Sequence, residues 1–379
     1  MRLARARITP YRLPFVQPLE TAHGVFAERQ GCLLEVETDS GLSGHGDACP
    51  FPGFRMEESA SVAPSLQTLV EALLGDDLRD LTAAREKARS IRPEAPGARF
   101  ALDCALYEIA ARAEALPVAE ILARAWGRQA KAGCQVNALV SGADSESLRR
   151  DVESARQNGF GDLKLKLGAR PWSDDLDRVR VVREAAGSDL RLRLDVGESW
   201  SLEEALIRID PLAELGVDLI EQPLPAADLA GMVRLRTETR RRGMALAADE
   251  AIVRPEDAGR VMDEGAADVL VLKPAALGGL GVAAELAETG REAGFSCVVT
   301  SMMDSGWGRT AALSLACALP GARPADGLAT GALLASDLVF TEGPTEGRLM
   351  RPDGAGFGLE SDEGLLAEAA CGETVEVRA

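Results

Sequence analysis

Six charged residues, each at the end of a short apolar run, carry the most chemical information in this chain. Lys164 and Lys166 stand in LKLKLG, Asp195 closes RLRLD, Glu221 follows LI, Asp249 stands in LAADE, and Lys273 follows VLVL. Brought together, Asp195, Glu221 and Asp249 would repel one another unless a cation neutralised them, and an all-oxygen donor set selects a hard ion, Mg2+ or Mn2+. One such acid is ordinarily a surface or capping residue. Three at successive strand ends point to a metal centre. Residues two apart on a strand share a face, about 6.6 Å from each other, so Lys164 and Lys166 face alike. Alone, such a pair would be a solvated strand edge; here Lys273 follows from a strand four repeats later. Burial, neighbouring cations and a divalent ion all disfavour a protonated lysine, which lets it act as a base. The chemistry this suits is proton removal beside a carboxylate, where the enediolate gathers negative charge on oxygens next to the cation.

These residues need elements that bring them to one place. Candidate strands centre near Val136, Leu165, Leu194, Ile220, Ala247, Leu270, Val299 and Leu328, a spacing of roughly 24–29 residues that matches the strand–helix period of an eight-stranded α/β barrel. The segments between them, such as SLEEALIRIDPLAELG, carry helical patterning and end near glycine. Before the barrel, residues 1 to about 50 read as strands with a turn at Asp39-Ser40-Gly41, and residues 98–116 read as a helix. The expected organisation is an α+β capping domain over residues 1–125, a barrel over 126–339, and a tail, 340–379, returning to the cap.

The 379 residues are 46% hydrophobic and 27% charged, which suits a large buried core rather than disorder. A net charge of −18 repels nucleic acid and anionic membranes, so neither is an expected partner. The N-terminus lacks a signal-peptide apolar core, no run reaches the length of a membrane span, and a cytoplasmic location is the expectation. Seven scattered cysteines without a CxxC pair are expected to be free thiols. With only His23 and His45, both before the barrel, HxH metal hydrolysis and His-based acid–base dyads in the barrel are excluded. No GxGxxG or GxxxxGK[ST] loop lies between a strand and a helix, which argues against a nucleotide cofactor.

The KLK pair, the Asp/Glu/Asp series and Lys273, in this order, resemble the enolase superfamily, in particular its muconate-lactonizing-enzyme subgroup, over nearly the whole chain. The resemblance implies a (β/α)7β modified TIM barrel with an N-terminal α+β capping domain, and Mg2+ held by Asp195, Glu221 and Asp249. It also implies that Lys166 abstracts the proton, that Lys273 faces it across the site, and that Lys164 gives electrostatic support. DACPFPGFRMEE at 47–58, TSMMDSGWG and GLATGALLASDLV resemble the o-succinylbenzoate synthases. That likeness implies a carbon–oxygen lyase that syn-dehydrates a succinyl-hydroxycyclohexadiene carboxylate in menaquinone biosynthesis. Ser301 and Ser305 would then contact a substrate carboxylate, Phe51 and Phe54 would close the pocket from the cap, and His23, in LETAHGVF, would sit on a cap loop near substrate. Each of these five also has a purely structural reading, in capping, loop satisfaction or packing.

Two features depart from the subgroup pattern. Gly197, followed by Glu198, stands where an Asn is usual two residues after the first metal acid. Ala329-Thr330-Gly331 replaces the Asp-x-Asp that dipeptide epimerases use to hold a substrate amine. An N-succinyl or other N-acyl amino acid racemase uses the same pair of lysines and is the alternative activity. A non-catalytic binding barrel is the alternative from outside enzymology. A small carboxylate is the expected substrate; members of the family often self-associate, so the resemblance allows a homo-oligomer, and the sequence itself does not give the oligomeric state.

Overall fold

The computed structural model describes residues 1–21 and 24–378. Three antiparallel strands, β1 (Leu3–Thr21), β2 (Gly24–Thr38) and β3 (Ser43–Ala48), precede the helices α1 (Ser59–Leu73), α2 (Leu81–Ile91), α3 (Pro96–Ala113) and α4 (Val118–Arg124). A short β4 (Gly133–Gln135) then leads into alternating elements: β5 (Ala138–Val140), α5 (Ser145–Gln157), β6 (Asp162–Lys166), α6 (Trp172–Ala186), β7 (Arg191–Asp195) and α7 (Leu202–Glu214). The alternation continues through β8 (Leu219–Glu221), α8 (Leu229–Arg241), β9 (Ala245–Ala248), α9 (Pro255–Glu264), β10 (Val269–Leu272), the one-turn α10 (Pro274–Leu277), α11 (Leu280–Glu292), β11 (Ser296–Val299) and α12 (Gly306–Ala318). The tail adds β12 (Arg348–Met350), α13 (Glu363–Ala369) and β13 (Val375–Arg378).

Strands β5 to β11 form one parallel sheet in sequence order. Its two edges meet through the segment around Asp326-Gly327, which bridges Val136 on one side and Thr300 on the other. Asn137 N–H donates to the Asp326 carbonyl at 3.0 Å, and Gly327 N–H donates to that of Val299 at 2.9 Å. The eighth strand is therefore present as two bridged residues, and the barrel has the (β/α)7β form. Strands such as β10, VLVL, are buried along their whole length, as expected where helices cover the outer face and side chains fill the interior.

The cap sheet runs in the order β13-β1-β2-β3. The tail serves both parts, since β13 pairs with β1 and β12 pairs with β4. Helix α3 is apolar nearly all round, as a helix buried on every side must be. Phe100 and Cys104 face the core shared with the barrel, while Ala101, Leu102, Ala105 and Ile109 face the cap's own core. A Cβ on Gly46 would collide with the backbone of Ala101, so glycine there lets β3 lie directly on α3. No helix among the described residues is long and apolar enough to cross a membrane.

Cap and barrel are also joined by a buried polar network. Ser305, at the start of α12, donates from its N–H and its hydroxyl to Asp47 Oδ2, each at 2.8 Å, and Tyr11 Oη donates to the other Asp47 oxygen at 2.5 Å. Asp304 lies beside Asp47, and Arg29 from β2 donates to the carbonyls of Cys49 at 2.6 Å and Met303 at 3.3 Å. Burial first, and then the Asp304 charge, push the Asp47 carboxyl up to about 7, against the opposing hydrogen bonds from Tyr11 and Ser305. A carboxyl raised in this way favours folding below its unfolded value of about 3.9, and the benefit is lost as pH rises through about 7. The Tm difference between Asp47→Asn and wild type should therefore shift in favour of the variant between pH 4 and 8. Thermal melts of both proteins across that range check this.

Candidate active site

The strand register does most of the positioning. Lys166 is the partner of Asp195 across β6 and β7, and Asp195 is the partner of Glu221 across β7 and β8. Glu221 pairs in turn with Ala247 of β9, and Asp249 stands just past the end of that strand. Lys273 follows β10 as the residue capping α10. The carboxylates therefore lie on three neighbouring strands, and the strands carrying Lys166 and Lys273 lie on either side of them in the sheet order.

Lys164 Nζ sits 3.0 Å from Asp195 Oδ2 and 2.8 Å from Glu221 Oε1, bridging the two acids. Burial opposes its charge, but Asp195 and Glu221 outweigh burial and hold the ammonium above the usual lysine range. Lys273 is buried, in contact with Asp249, and its ammonium lies 4.6 Å above the ring centroid of Phe54 from the cap. Burial is the largest influence on Lys273 and pushes it down to about 7; Lys164 and Lys166 act in the same direction, and Glu221 and Asp195 oppose it. Lys166 is exposed at the end of β6. Burial raises the Asp195 carboxyl, but Lys164, Lys166 and Lys273 together bring it below the ordinary range, so all three ammonium groups act on this one acid.

As the side chains stand, no three His, Cys, Asp or Glu residues among those described converge as a metal-ligand set. The lysines occupy the gaps between the acids. The site nonetheless leaves one oxygen of Glu221 and one of Glu250 buried without a hydrogen-bond partner, and a buried carboxylate oxygen without a partner is costly. A hard cation is the group whose chemistry satisfies such oxygens, and Asp195, Glu221 and Asp249 fit it in donor type and strand position.

Three participants escaped the sequence reading. Arg193, two residues before Asp195 and so on its face of β7, is buried 3.8 Å from Glu221 Oε2 and donates to the Ala325 carbonyl at 2.8 Å. The alternation in RLRLD carried that signal. Gln222 is fully buried with a positive φ of 37°, and its side-chain oxygen accepts from the N–H groups of Asp249 at 2.9 Å and Ala251 at 3.1 Å. Glu250 stands where the departure at Gly197 leaves room: a Cβ on Gly197 would lie 3.9 Å from Asp195 Oδ1 and 4.0 Å from Glu250 Oε1. Burial and the neighbouring Asp195 push the Glu250 carboxyl up to about 8.

The five expected substrate contacts separate. Phe54 reaches Lys273, whereas Phe51 is buried in the core, with Phe26 at 5.0 Å and the Arg29 guanidinium at 4.8 Å. Ser301 lies at the seventh strand end with its hydroxyl 2.7 Å from that of Thr330. Ser305 is fully buried and its hydroxyl is engaged by Asp47, which supports its structural reading and not a substrate contact. His23 lies outside the described residues. His45 stacks on Trp307 at 4.2 Å and bonds Glu108 at 3.0 Å, a structural placement.

Two family models cover most of the chain. The N-terminal domain of the mandelate racemase / muconate lactonizing enzyme family matches residues 4–123, and the enolase C-terminal domain-like family matches residues 147–365. The chain belongs to the enolase superfamily, with the domain pairing of the mandelate racemase and muconate lactonizing enzymes. Its relatives within that group include muconate cycloisomerase 1 of Acinetobacter baylyi, 30% identical over 94% of this chain and 96% of that protein. Another is the N-succinyl-L-Arg/Lys racemase of Bacillus cereus, 27% identical over 80% of this chain and 81% of that protein. The crystal structure of the latter superposes over 100% of both chains with a TM-score of 0.91 and 25% identity. A dipeptide epimerase of Enterococcus faecalis, solved with Mg and the dipeptide L-Leu-L-Tyr, covers 96% of this chain and 100% of its own at a TM-score of 0.88 and 25% identity. These relatives are racemases, epimerases and cycloisomerases, and they overturn the expected carbon–oxygen lyase. The cap loop and strand-end strings that suggested dehydration sit on a scaffold shared by all these activities, so they did not separate the reactions. The menaquinone assignment goes with the lyase.

Proposed function

We propose that the protein is a divalent-metal-dependent racemase of N-acylated amino acids, N-succinyl derivatives foremost, which moves one proton at the α-carbon between two lysines. The observation that carries the reading is the placement of Lys166 and Lys273 on strands at opposite sides of the acid-bearing strands. Inversion at carbon needs a base on each face; elimination needs only one. When bound, the cation, Mg2+ or Mn2+ at Asp195, Glu221 and Asp249, supplies positive charge against which the substrate carboxylate gains electron density. Lys166, exposed toward the barrel mouth, takes the α-proton on one face. Lys273, buried beneath Phe54, returns one on the other, and the two exchange roles for the opposite enantiomer. Lys164 stays protonated between Asp195 and Glu221 and keeps these acids in place. Ser301 is the seventh-strand group assigned to the substrate.

The absence of Asp-x-Asp at 329–331 removes the acids that would hold a free amine, which favours an acylated nitrogen over a dipeptide N-terminus. A second reading, muconate cycloisomerisation, is favoured by the 30% identity to the Acinetobacter enzyme over nearly full length. Polarimetry on a panel of N-succinyl amino acids, free amino acids and dipeptides, with ultraviolet assay of muconate, tests the choice. Loss of optical rotation is expected with N-succinyl substrates. Turnover of muconate or dipeptides with none of N-succinyl amino acids would reject the proposal.

A further inference from the structure

Away from the barrel mouth, a cavity of about 140 Å³ lies at the seam between α2 and α3 of the cap and the α10–α11 turn of the barrel. Three guanidinium groups, those of Arg85, Arg89 and Arg99, line it. Two of them have partners. Arg85 reaches Asp103 at 3.0 Å and Glu285 at 3.2 Å, and Arg89 reaches Glu256 at 2.8 Å. The Arg99 side chain has neither a hydrogen bond nor an ion pair, and its Nε is buried without a partner.

The carboxylates near Arg99 are engaged elsewhere. Glu57 accepts from the N–H groups of Gly97 at 3.1 Å and Ala98 at 2.7 Å. Asp103 Oδ2 accepts from Gly281 N–H at 3.1 Å, Asp103 Oδ1 forms an ion pair with Arg85 at 3.0 Å without a hydrogen bond, and Glu256 holds Arg89. Glu86, on the rim, is exposed. Burial and the neighbouring Arg89 charge hold the Arg99 guanidinium below its ordinary range. Arg99 is part-buried, and a guanidinium nitrogen taken out of water without a hydrogen-bond partner costs stability. The room suffices for more than water, which needs only about 10–15 Å³.

The position of Arg99 is built rather than incidental. Its guanidinium lies against Gly278, where a Cβ would come within 2.7 Å of Nη2, and Gly278 has a positive φ of 84°. Gly278 ends the one-turn helix that Lys273 begins. In a chain of net charge −18, an anion would be held only where positive groups face inward together.

We propose that this seam is a binding site for a small oxyanion of phosphate size, held between Arg99 and Arg89. A bound anion ties α3 of the cap to the turn that follows Lys273. Planar guanidinium groups suit phosphate and carboxylate oxygens alike, so the chemistry is that of an oxyanion whether it comes from free phosphate or from a phosphorylated or carboxylated metabolite.

The test follows Tm of the purified full chain in Mg2+ as inorganic phosphate is added at constant ionic strength, with sodium chloride as the control. A saturable rise with phosphate, absent with chloride, is expected. Arg99→Gln and Arg89→Gln should each weaken the apparent affinity at least tenfold, and Glu86→Gln should strengthen it about twofold. In phosphate-free buffer Arg99→Gln should melt no lower than wild type, because it removes a charge without a partner. An equal rise in chloride, or a phosphate response unchanged in both arginine variants, as binding at the metal centre would give, overturns the proposal. So does a lower Tm of Arg99→Gln in phosphate-free buffer, which would make Arg99 a purely structural residue. Acetate, which binds Mg2+ only weakly, in place of phosphate separates carboxylate from phosphate sources.

Discussion

Lys166→Ala and Lys273→Ala are each expected to lower kcat/KM for racemisation by about 10³-fold or more, because a positioned acid–base group contributes roughly 10²–10⁴ and inversion requires both. The two losses should differ in kind. Exchange of an α-proton with solvent needs a base on only one face, so each variant should still wash deuterium into one enantiomer. The enantiomer labelled by Lys166→Ala should be the one that Lys273→Ala leaves unlabelled. Proton NMR of each enantiomer in D2O checks this complementarity. Lys166 is exposed, so its removal leaves no buried cavity, although its charge acts on Asp195 and Lys273. Lys273 is buried in contact with Asp249, so a thermal melt must accompany that variant. Loss of exchange for both enantiomers in both folded variants would indicate a single shared base, or a role for the lysines in binding alone.

The second large effect is expected at Glu221. Its side chain is 1% exposed, bridged by Lys164 at 2.8 Å, and retains one oxygen without a hydrogen bond. Glu221→Gln removes a negative charge from the middle of the three acids. Mg2+ binding measured by calorimetry should weaken at least 100-fold, with activity falling in parallel, because both depend on the same oxygens. Dialysis of wild type against a chelator should abolish activity, and Mg2+ should restore it. Full activity after chelation would remove the metal from the account.

Much of this arrangement was legible because parallel strands impose a common phase. LKLK, RLRLD, LIE, LAAD and VLVLK each present a charged residue at the carboxyl end of an apolar strand, and the observed register sets Lys166 beside Asp195 and Asp195 beside Glu221. The eighth strand was less legible. Around Asp326-Gly327 it amounts to two bridged residues, too few for a period of two to show. Contacts between distant segments were not legible at all: Asp47 and Ser305 are 258 positions apart, and nothing local in either segment announces the other. Gln222 and Glu250 were hidden for a related reason. Each stands directly beside a recognised acid, on the turn rather than the strand, where side-chain direction follows backbone angles such as the positive φ of Gln222. The reaction itself was misread because the lysines and acids are common to elimination, racemisation and cycloisomerisation.

The most direct measurement is proton NMR of an N-succinyl amino acid incubated in D2O with the Mg2+-loaded protein. Loss of the α-proton signal from both enantiomers, in step with loss of optical rotation and without formation of an unsaturated product, is the predicted result. Exchange confined to one enantiomer with rotation retained, or no exchange in a protein that binds Mg2+ and substrate, would contradict two-lysine racemisation.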